Sequence, residues 1–232
     1  MTRIVAPQNQ ASTPSQGQTL LGLLLSASGW SQVAEGHQSG ADPGVITTSA
    51  GEAAPAVAAG ASRLPAPRTV RLRDGRAVRI RPIRPSDAEA LSAFDAGLNE
   101  VNHRFRYLGW MRPLTLEQAR AMATVDFRRR FALVATTRRE GCEVIVADCR
   151  VIAGSGLPAE IAIAVADDHH DVGLGPVLIR RMLAVAADHG IEAVEARVQY
   201  DNEHMMHVLR RLGFERTTWE LGVATFVAKT AR

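Results

Sequence analysis

The sequence predicts a mixed α/β fold, in which helices flank one central sheet of antiparallel and parallel strands. The first observation is a set of short, apolar, β-branched segments of the kind found in buried strands. These segments are residues 131–136, 143–152, 159–166 and 191–200. The second observation is that helical patterns with capping residues precede and follow them. The third is a glycine-rich turn between residues 159–166 and a helix, which predicts a parallel strand–helix–strand unit with a right-handed crossover.

Three helices are expected after an opening hairpin. The hairpin is predicted by Asp74-Gly75, a two-residue turn signal with alternating segments on both sides. The helices are expected over residues 85–97, 99–107 and 115–125. The first has Ser86 or its neighbour as a cap, and the third opens on a capping box from Thr115 to Gln118.

The second half of the chain should complete the sheet. A turn at Glu140-Gly141 joins the first two strand segments into an antiparallel meander. The helix after the glycine-rich turn is expected to end at Gly190, because glycine is a common C-terminal stop. A further helix over residues 202–212 and one or two strands over residues 217–227 complete the domain.

Two regions of different composition divide the 232 residues. Residues 1–66 are rich in Ala, Gly, Ser, Gln and Pro and carry few charges, which predicts a low-complexity, disordered tail with at most a short helix over residues 20–25. Residues 67–232 are expected to form one domain, and the hydrophobic content of 46% supports a substantial core.

Charge and residue usage exclude several functions. A net charge of +3 gives no general electrostatic case for nucleic acid binding, and no apolar run approaches the length of a membrane span. The one lysine, Lys229, lies near the C-terminus, which excludes a phosphate-loop lysine and a plausible Schiff-base lysine. Cys142 and Cys149 are interpreted as two core residues in a reducing compartment, which indicates a cytoplasmic protein.

The glycine-rich turn is the main functional signal in the sequence. It runs from His170 to Gly175, between an apolar strand and a helix. Main-chain N–H groups at a helix N-terminus bind phosphate oxygens, and glycines allow a ligand to approach closely. The turn therefore predicts a ligand that contains a pyrophosphate group.

Residues 159–214 resemble the GCN5-related N-acetyltransferase (GNAT) superfamily. The resemblance rests on His170-x-x-Gly173-x-Gly175, on Asn202 at the start of a later helix, and on Gly213-Phe214 after that helix. Further segments resemble the bacterial Pat-type protein-lysine acetyltransferases. These are residues 70–76, 80–87, 104–106, 131–135 and 159–162. The resemblance implies the acyl-CoA N-acyltransferase fold, with a splayed pair of parallel strands.

The resemblance also implies acetyl-CoA as co-substrate and a set of residues that bind it. The pyrophosphate is expected on the turn, and the thioester and pantetheine on the main chain of the strand before it and on the amide of the later helix. The residues are Ile163, Val165, His170, Asp171, Val172, Gly173, Leu174, Gly175 and Asn202. Pro176 lacks an N–H and removes one donor that is common in the family. Asn202 is equally well explained as a helix N-cap.

Glu160 is the candidate general base. A free lysine has a pKa of about 10.4, so an amine nucleophile must lose a proton before it attacks a thioester. Glu160 interrupts an apolar strand just before the glycine-rich turn, where partial burial would shift its pKa towards neutrality. A solvated glutamate at a strand end is the alternative. The matching glutamate of the resembled family is thought to act as base, through a water molecule.

Other candidates are weaker. Leu209 stands where many superfamily members have a tyrosine that protonates the leaving thiolate, and Tyr200 is a conceivable substitute. The run from Asp167 to Asp171 has metal-ligand residue types but is interpreted as a solvated turn, and His204 and His207 share a helix face without a third ligand, so no metal is expected. The arginines 104, 106 and 128–130 could attract an acidic partner or the CoA 3′-phosphate, or could be a solvated face.

The sequence as a whole predicts a bacterial, acetyl-CoA-dependent N-acetyltransferase that works by direct attack in a ternary complex. Its acceptor is expected to be an exposed lysine of a partner protein, with acyl-CoA synthetases the best-known targets in the resembled family. A small-molecule amine acetyltransferase and a CoA-binding regulatory module with weak activity are the two alternatives.

Overall fold

A computed structural model describes residues 64–154 and 158–230 of the chain. The described residues form eight strands and five helices, with two single 3₁₀ turns at Pro85–Asp87 and Asp167–His169. The strands are β1 (Arg68–Arg71), β2 (Ala77–Pro82), β3 (Arg130–Arg139), β4 (Cys142–Ile152), β5 (Ala159–Val165), β6 (Ala193–Gln199), β7 (Glu215–Glu220) and β8 (Val223–Lys229). The helices are α1 (Ala88–Ala96), α2 (Glu100–Tyr107), α3 (Leu116–Ala123), α4 (Leu174–Asp188) and α5 (Glu203–Arg211).

One mixed sheet contains all eight strands in the order β1-β2-β3-β4-β5-β6-β8-β7. Every neighbouring pair is antiparallel except β5 and β6, which α4 connects as a parallel crossover. The predicted mixed α/β fold and the parallel strand–helix–strand unit are therefore confirmed.

The parallel pair is held together at one end only. Its register covers two residue pairs, Ala159↔Val194 and Glu160↔Glu195, although β5 continues for five residues and β6 for four residues beyond that point. The strands separate from there towards their C-terminal ends. A gap therefore opens in the sheet beside the second half of β5.

The two faces of the sheet carry two separate apolar clusters. Side chains alternate along β5, so Ile161 packs with α4 and α5 while Ala164 packs with α1 and α3. Leu178 and Met182 of α4 are fully buried in the first cluster, and Leu91 of α1 is buried in the second. We call the side of the sheet that α4 and α5 cover the donor face, and the side that α1 and α3 cover the acceptor face.

Several local predictions are confirmed. The hairpin at Asp74-Gly75, the capping box from Thr115 to Gln118 and the helix cap at Asn202 all form as expected. Of the two predicted caps, Ser86 and its neighbour, the neighbour Asp87 is the N-cap residue of α1, and its carboxylate accepts a hydrogen bond from the Arg84 N–H at 2.7 Å.

The interpretation of both cysteines as core residues is wrong for one of them. Cys149 is fully buried in β4, whereas Cys142 is exposed beside the β3–β4 turn. The predicted tail lies outside the described residues except for its last three positions. Thr69 and its neighbours in β1 already belong to the sheet.

Candidate active site

A cleft of about 430 Å³ passes through the gap between β5 and β6. All residues of β5 from Glu160 to Val165 line it. On the donor face the cleft is bounded by α4 and α5, including Ile179 and Val208. On the acceptor face it is bounded by α2, including Phe105. The gap thus connects a groove for a long ligand on one face with a second space on the other.

The glycine-rich turn forms the donor-side end of the cleft. Gly173 is the N-cap of α4 and has a φ of 87°, a left-handed conformation that a side chain would strain. No side chain caps this helix end, so the first N–H groups of α4 are left for a ligand. Gly175 also lines the cleft, and a Cβ atom there would reach van der Waals distance of Val165.

Most predicted cofactor-binding residues come together around this cleft. Ile163, Val165, His170, Asp171, Gly173, Leu174, Gly175 and Asn202 all line it. Val172 does not: its carbonyl accepts the Arg73 N–H at 3.1 Å, and its side chain packs against the donor-face core. Val172 therefore stabilises the turn on the side away from the cleft.

His170 is engaged with the main chain of β5. Its Nε2 atom lies 2.9 Å from the Val165 carbonyl oxygen, and because a carbonyl only accepts, Nε2 is the donor. The imidazole therefore ties the turn to the end of the strand. This contact leaves Nδ1 as the ring atom available to a ligand.

The edge of β5 presents main-chain groups to the gap. The Ala166 N–H donates to the Val146 carbonyl of β4 at 2.8 Å. Because N–H directions alternate along an antiparallel strand, the N–H groups of Ile163 and Val165 point the other way, towards the gap. β6 has separated from β5 at this level, so it does not take up these donors. They are placed to receive a carbonyl or an oxyanion.

Glu160 lies where the two strands separate. It is 9% exposed and lines the cleft. Ile161 faces the donor side, so alternation places the Glu160 carboxylate on the acceptor face. The expectation of a partly desolvated carboxylate near the turn is met, and the alternative of a fully solvated glutamate is wrong.

Three arginines to which the sequence analysis gave no role lie around the cleft. Arg73 comes from the β1–β2 turn, and its side chain lies against Gly173, where a Cβ atom would be 3.4 Å from the guanidinium Nε. Arg180 of α4 and Arg211 of α5 also line the cleft. Arg73 lies about one hundred residues before the turn, so only tertiary structure brings it there.

The run from Asp167 to Asp171 was interpreted as a solvated turn, which is confirmed for the four exposed residues but is wrong for His169, which is buried. Asp167 accepts hydrogen bonds from the Asn99 N–H at 3.2 Å and from the Asn102 side chain. His169 is buried between the Asp168 carboxylate, 2.7 Å from Nδ1, and Arg76, 3.2 Å from Nε2. The acidic and histidine side chains thus attach the glycine-rich turn to α2 and to the first hairpin.

Neither Leu209 nor Tyr200 is placed to protonate a leaving thiolate in the cleft. Leu209 lines it, while Tyr200 is 60% exposed and is not among the lining residues. Tyr107 lines the cleft, but burial raises the pKa of its phenol, and its hydroxyl donates to Asp95 at 2.5 Å. Burial likewise raises the pKa of the Cys149 thiol, which makes that cysteine a poor nucleophile.

Asn202 has one assigned contact. Its side-chain oxygen accepts the Met205 N–H at 3.1 Å, so it is the N-cap of α5. It also lines the cleft, which leaves its amide NH₂ group available to a ligand.

Neither a metal site nor a membrane-spanning helix is found among the described residues. His204 and His207 both line the cleft, but no group of three potential ligands occurs in the described ranges. Within the same ranges, no helix has the length and apolarity needed to cross a bilayer.

Comparison with known proteins gives consistent matches. The family model described as an acetyltransferase (GNAT) domain matches residues 77–215. Acetyltransferase PA5475 of Pseudomonas aeruginosa is 31% identical over 148 residues, which are 62% of this chain and 77% of that protein. Acetyltransferase Pat of Mycolicibacterium smegmatis is 28% identical over 159 residues, 68% of this chain but 47% of that protein. The chain thus spans about half the length of this second relative.

Solved structures agree with the family match. The GNAT domain of S. lividans PAT superposes with a TM-score of 0.65 at 27% identity, covering 72% of this chain and 99% of that one. YncA of Salmonella typhimurium, solved with its cofactor acetyl-CoA, shares the fold with a TM-score of 0.52 at 17% identity, covering 67% and 95%. With its splayed parallel strands and its match over more than half of its length, the chain belongs to the GNAT family of acetyltransferases.

Proposed function

We propose that this protein transfers the acetyl group of acetyl-CoA to the side-chain amine of a lysine on a partner protein. The observation that carries the proposal is the cleft that joins the glycine-rich turn to Glu160 through the gap in the sheet. Acetyl transfer from coenzyme A needs a binding site for the pyrophosphate on one side of the thioester and a carboxylate base on the other. The glycine-rich turn and Glu160 are suited to these two roles.

The donor side fits coenzyme A in chemistry and charge. The uncapped first turn of α4 and the guanidinium groups of Arg73 and Arg180 suit a pyrophosphate. The apolar side chains of α4, α5 and β6 suit a pantetheine arm, and the Asn202 amide offers it one polar contact. The bound coenzyme supplies an activated acyl thioester at the gap.

The chemistry follows from the residues at the gap. The amine nitrogen attacks the thioester carbonyl carbon, and the oxyanion is stabilised by the main-chain N–H of Ile163 or Val165. Glu160 accepts the proton that the amine loses, directly or through water. The C–S bond then breaks, and coenzyme A leaves as a thiolate, because Leu209 supplies no proton.

A polypeptide acceptor is favoured over a small amine by the surface beside Glu160. On the acceptor face of β6 and β8 the side chains are half-exposed instead of covered by a helix. They are Glu195, Arg197, Gln199, Val223, Thr225 and Val227. This surface continues from Glu160 across the sheet, because Glu195 is the register partner of Glu160. A protein loop that carries a lysine has room to bind along it. Acyl-CoA synthetases are the acceptor class to test first, because the resembled Pat-type family modifies them.

The test is transfer of labelled acetyl from acetyl-CoA to lysine-containing proteins, followed by mass spectrometry of the sites. Glu160→Gln should lower kcat about 100-fold or more with little change in CoA affinity, since loss of a general base costs about 10²–10⁴-fold. Glu192→Gln is the matched control, because it removes the same charge from an exposed residue just before β6, outside both the lining of the cleft and the proposed acceptor surface.

The alternatives give different results in the same assay. A small-molecule enzyme would acetylate simple amines and leave folded proteins unmodified. A regulatory module would bind CoA without turnover, and wild type and Glu160→Gln would then behave alike. Either result would contradict the proposed function.

A further inference from the structure

A buried cluster of three charged side chains lies on the acceptor face beside the cleft. The Asp148 Oδ2 atom accepts from Arg106 Nη2 at 2.7 Å and from Arg150 Nε at 2.8 Å. The side chains of all three are only 2–3% exposed. We call these residues the Arg106–Asp148–Arg150 cluster.

The cluster is incompletely satisfied. Arg106 Nη1, Asp148 Oδ1 and Arg150 Nη2 are all buried without a hydrogen-bond partner. A buried unpaired donor costs about 1–3 kcal/mol, and more if it is charged, so native structures rarely retain one without a use. Arg106 is the member of the cluster that lines the cleft. Its unpaired nitrogen is therefore the one that belongs to a side chain bordering the cleft.

The position of the cluster is set by strand register. Asp148 pairs with Ala164 and Arg150 pairs with Ala162, and the β4 and β5 residues of each pair project to the same face. Glu160 lies on that face two residues before Ala162. The small Ala162 and Ala164 side chains, between the cluster and the gap, also line the cleft. Arg106 thus borders the place where, under the proposed function, the acyl group meets the amine.

The charge of the cluster indicates the kind of ligand. Two guanidinium groups share one carboxylate, so the cluster keeps an excess positive charge in a buried setting. A guanidinium presents N–H groups in a planar fork that matches a carboxylate. An incoming carboxylate would satisfy a free Arg106 donor and neutralise the excess charge.

We propose that Arg106 forms a carboxylate subsite on the acceptor face of the cleft, next to the reacting groups. The carboxylate is carried either by the acyl group of the donor, as in a dicarboxylic acid monothioester, or by the acceptor close to its amine. The inference rests on the proposed function for the identity of the cleft. It adds selectivity for a substrate that carries a carboxylate, a group that acetyl itself lacks.

The donor arm of the test measures equilibrium binding by calorimetry. CoA, acetyl-CoA and succinyl-CoA are titrated into the full-length chain. Succinyl-CoA should bind about tenfold or more tightly than acetyl-CoA, as expected for one charge-assisted hydrogen bond. Arg106→Gln should abolish this ratio. Arg104→Gln is the matched control, because it removes the same charge from the same helix at a residue outside the cleft lining, and it should keep the ratio.

The acceptor arm measures kcat/KM with acetyl-CoA and two lysine peptides that differ only in a glutamate or a glutamine beside the lysine. The glutamate peptide should be preferred about tenfold if the acceptor supplies the carboxylate. This preference should also disappear in Arg106→Gln. A carboxylate preference in either arm that depends on Arg106 supports the subsite and identifies its source.

The outcomes separate the two proposals. Binding of CoA without a carboxylate preference in either arm, or a preference that survives Arg106→Gln, overturns the subsite alone. Failure of CoA and both thioesters to bind overturns the proposed function as well. If Arg106→Gln does not fold, the double variant Arg106→Gln/Asp148→Asn is used in its place, because it keeps the net charge of the cluster.

Discussion

The donor face and the acceptor face of the sheet are built in different ways. The donor face is apolar: Leu174, Ile179 and Met182 of α4 pack on β5 and β6, and the cofactor groove ends at main-chain atoms. The acceptor face contains most of the buried charged residues of the described chain. They are Arg81, Asp87, Asp95, His103, Arg106, Asp148, Arg150 and Glu160.

The difference reflects what each face has to do. A pyrophosphate and a pantetheine arm are recognised by backbone and by apolar surface, which a short sequence motif can supply. On the acceptor face polar contacts fix the helices to the sheet and to one another: Arg81 of β2 pairs with Asp87 in a bidentate ion pair, and the Tyr107 hydroxyl of α2 donates to Asp95 of α1. Buried ion pairs contribute little net stability but are costly to break. The acceptor face should therefore be the more sensitive to loss of one charge.

The largest effect is expected from Asp148→Ala. The substitution leaves the guanidinium groups of Arg106 and Arg150 buried without their carboxylate, which should lower the free energy of unfolding by about 3–5 kcal/mol. Urea denaturation measures it. The control is Asp201→Ala, which breaks the partly exposed pair with Arg104 and should cost less than about 1 kcal/mol. Equal losses in the two variants would mean that the acceptor face is no more sensitive than the surface.

Gly173→Ala tests the donor face. A left-handed alanine strains the turn, and its Cβ atom would lie in van der Waals contact with the Arg73 side chain, so CoA affinity should fall about tenfold or more. Gly141→Ala is the control, because Gly141 has a similar φ of 82° in a hairpin turn outside the cleft lining. Both variants should lose about 1 kcal/mol of stability, but only Gly173→Ala should weaken binding in a CoA titration. An unchanged dissociation constant for CoA in Gly173→Ala would show that the turn is not part of the cofactor site.

The smallest effect is expected at Asn202, where a cap and a ligand contact share one side chain. Asn202→Ala should cost about 1 kcal/mol of stability, whereas Asn202→Ser keeps a capping oxygen and should cost much less. Both remove the amide NH₂ group and should weaken CoA binding a few-fold. Paired thermal melts and CoA titrations separate the two roles. Full CoA affinity in Asn202→Ser would show that Asn202 acts only as a helix cap and does not contact CoA.

The sequence predicted the donor side better than the acceptor side, for a physical reason. Turn conformation, helix caps and strand periodicity depend on neighbouring residues, so the elements around Gly173 and the cap at Asn202 were predicted with nearly their observed bounds. The contacts of the Asp167–Asp171 run were not predicted, because its partners Arg76, Asn99 and Asn102 lie 65 to 92 residues away. Arg106 was assigned to a group that is solvated or that binds a partner or the CoA 3′-phosphate, since its buried partner Asp148 is on β4, 42 residues away.

The amino-acid sequence by itself determined the order of strands and helices, the glycine turn and the place of Glu160 within an apolar strand, because each depends on local conformational preference or on alternation along one strand. The tertiary structure decided where β5 and β6 separate, that Arg73 reaches the turn, and that Arg106 is buried with a free donor. These features depend on contacts between segments that are far apart in the chain. Their energies come from burial and charge pairing, which no local pattern encodes.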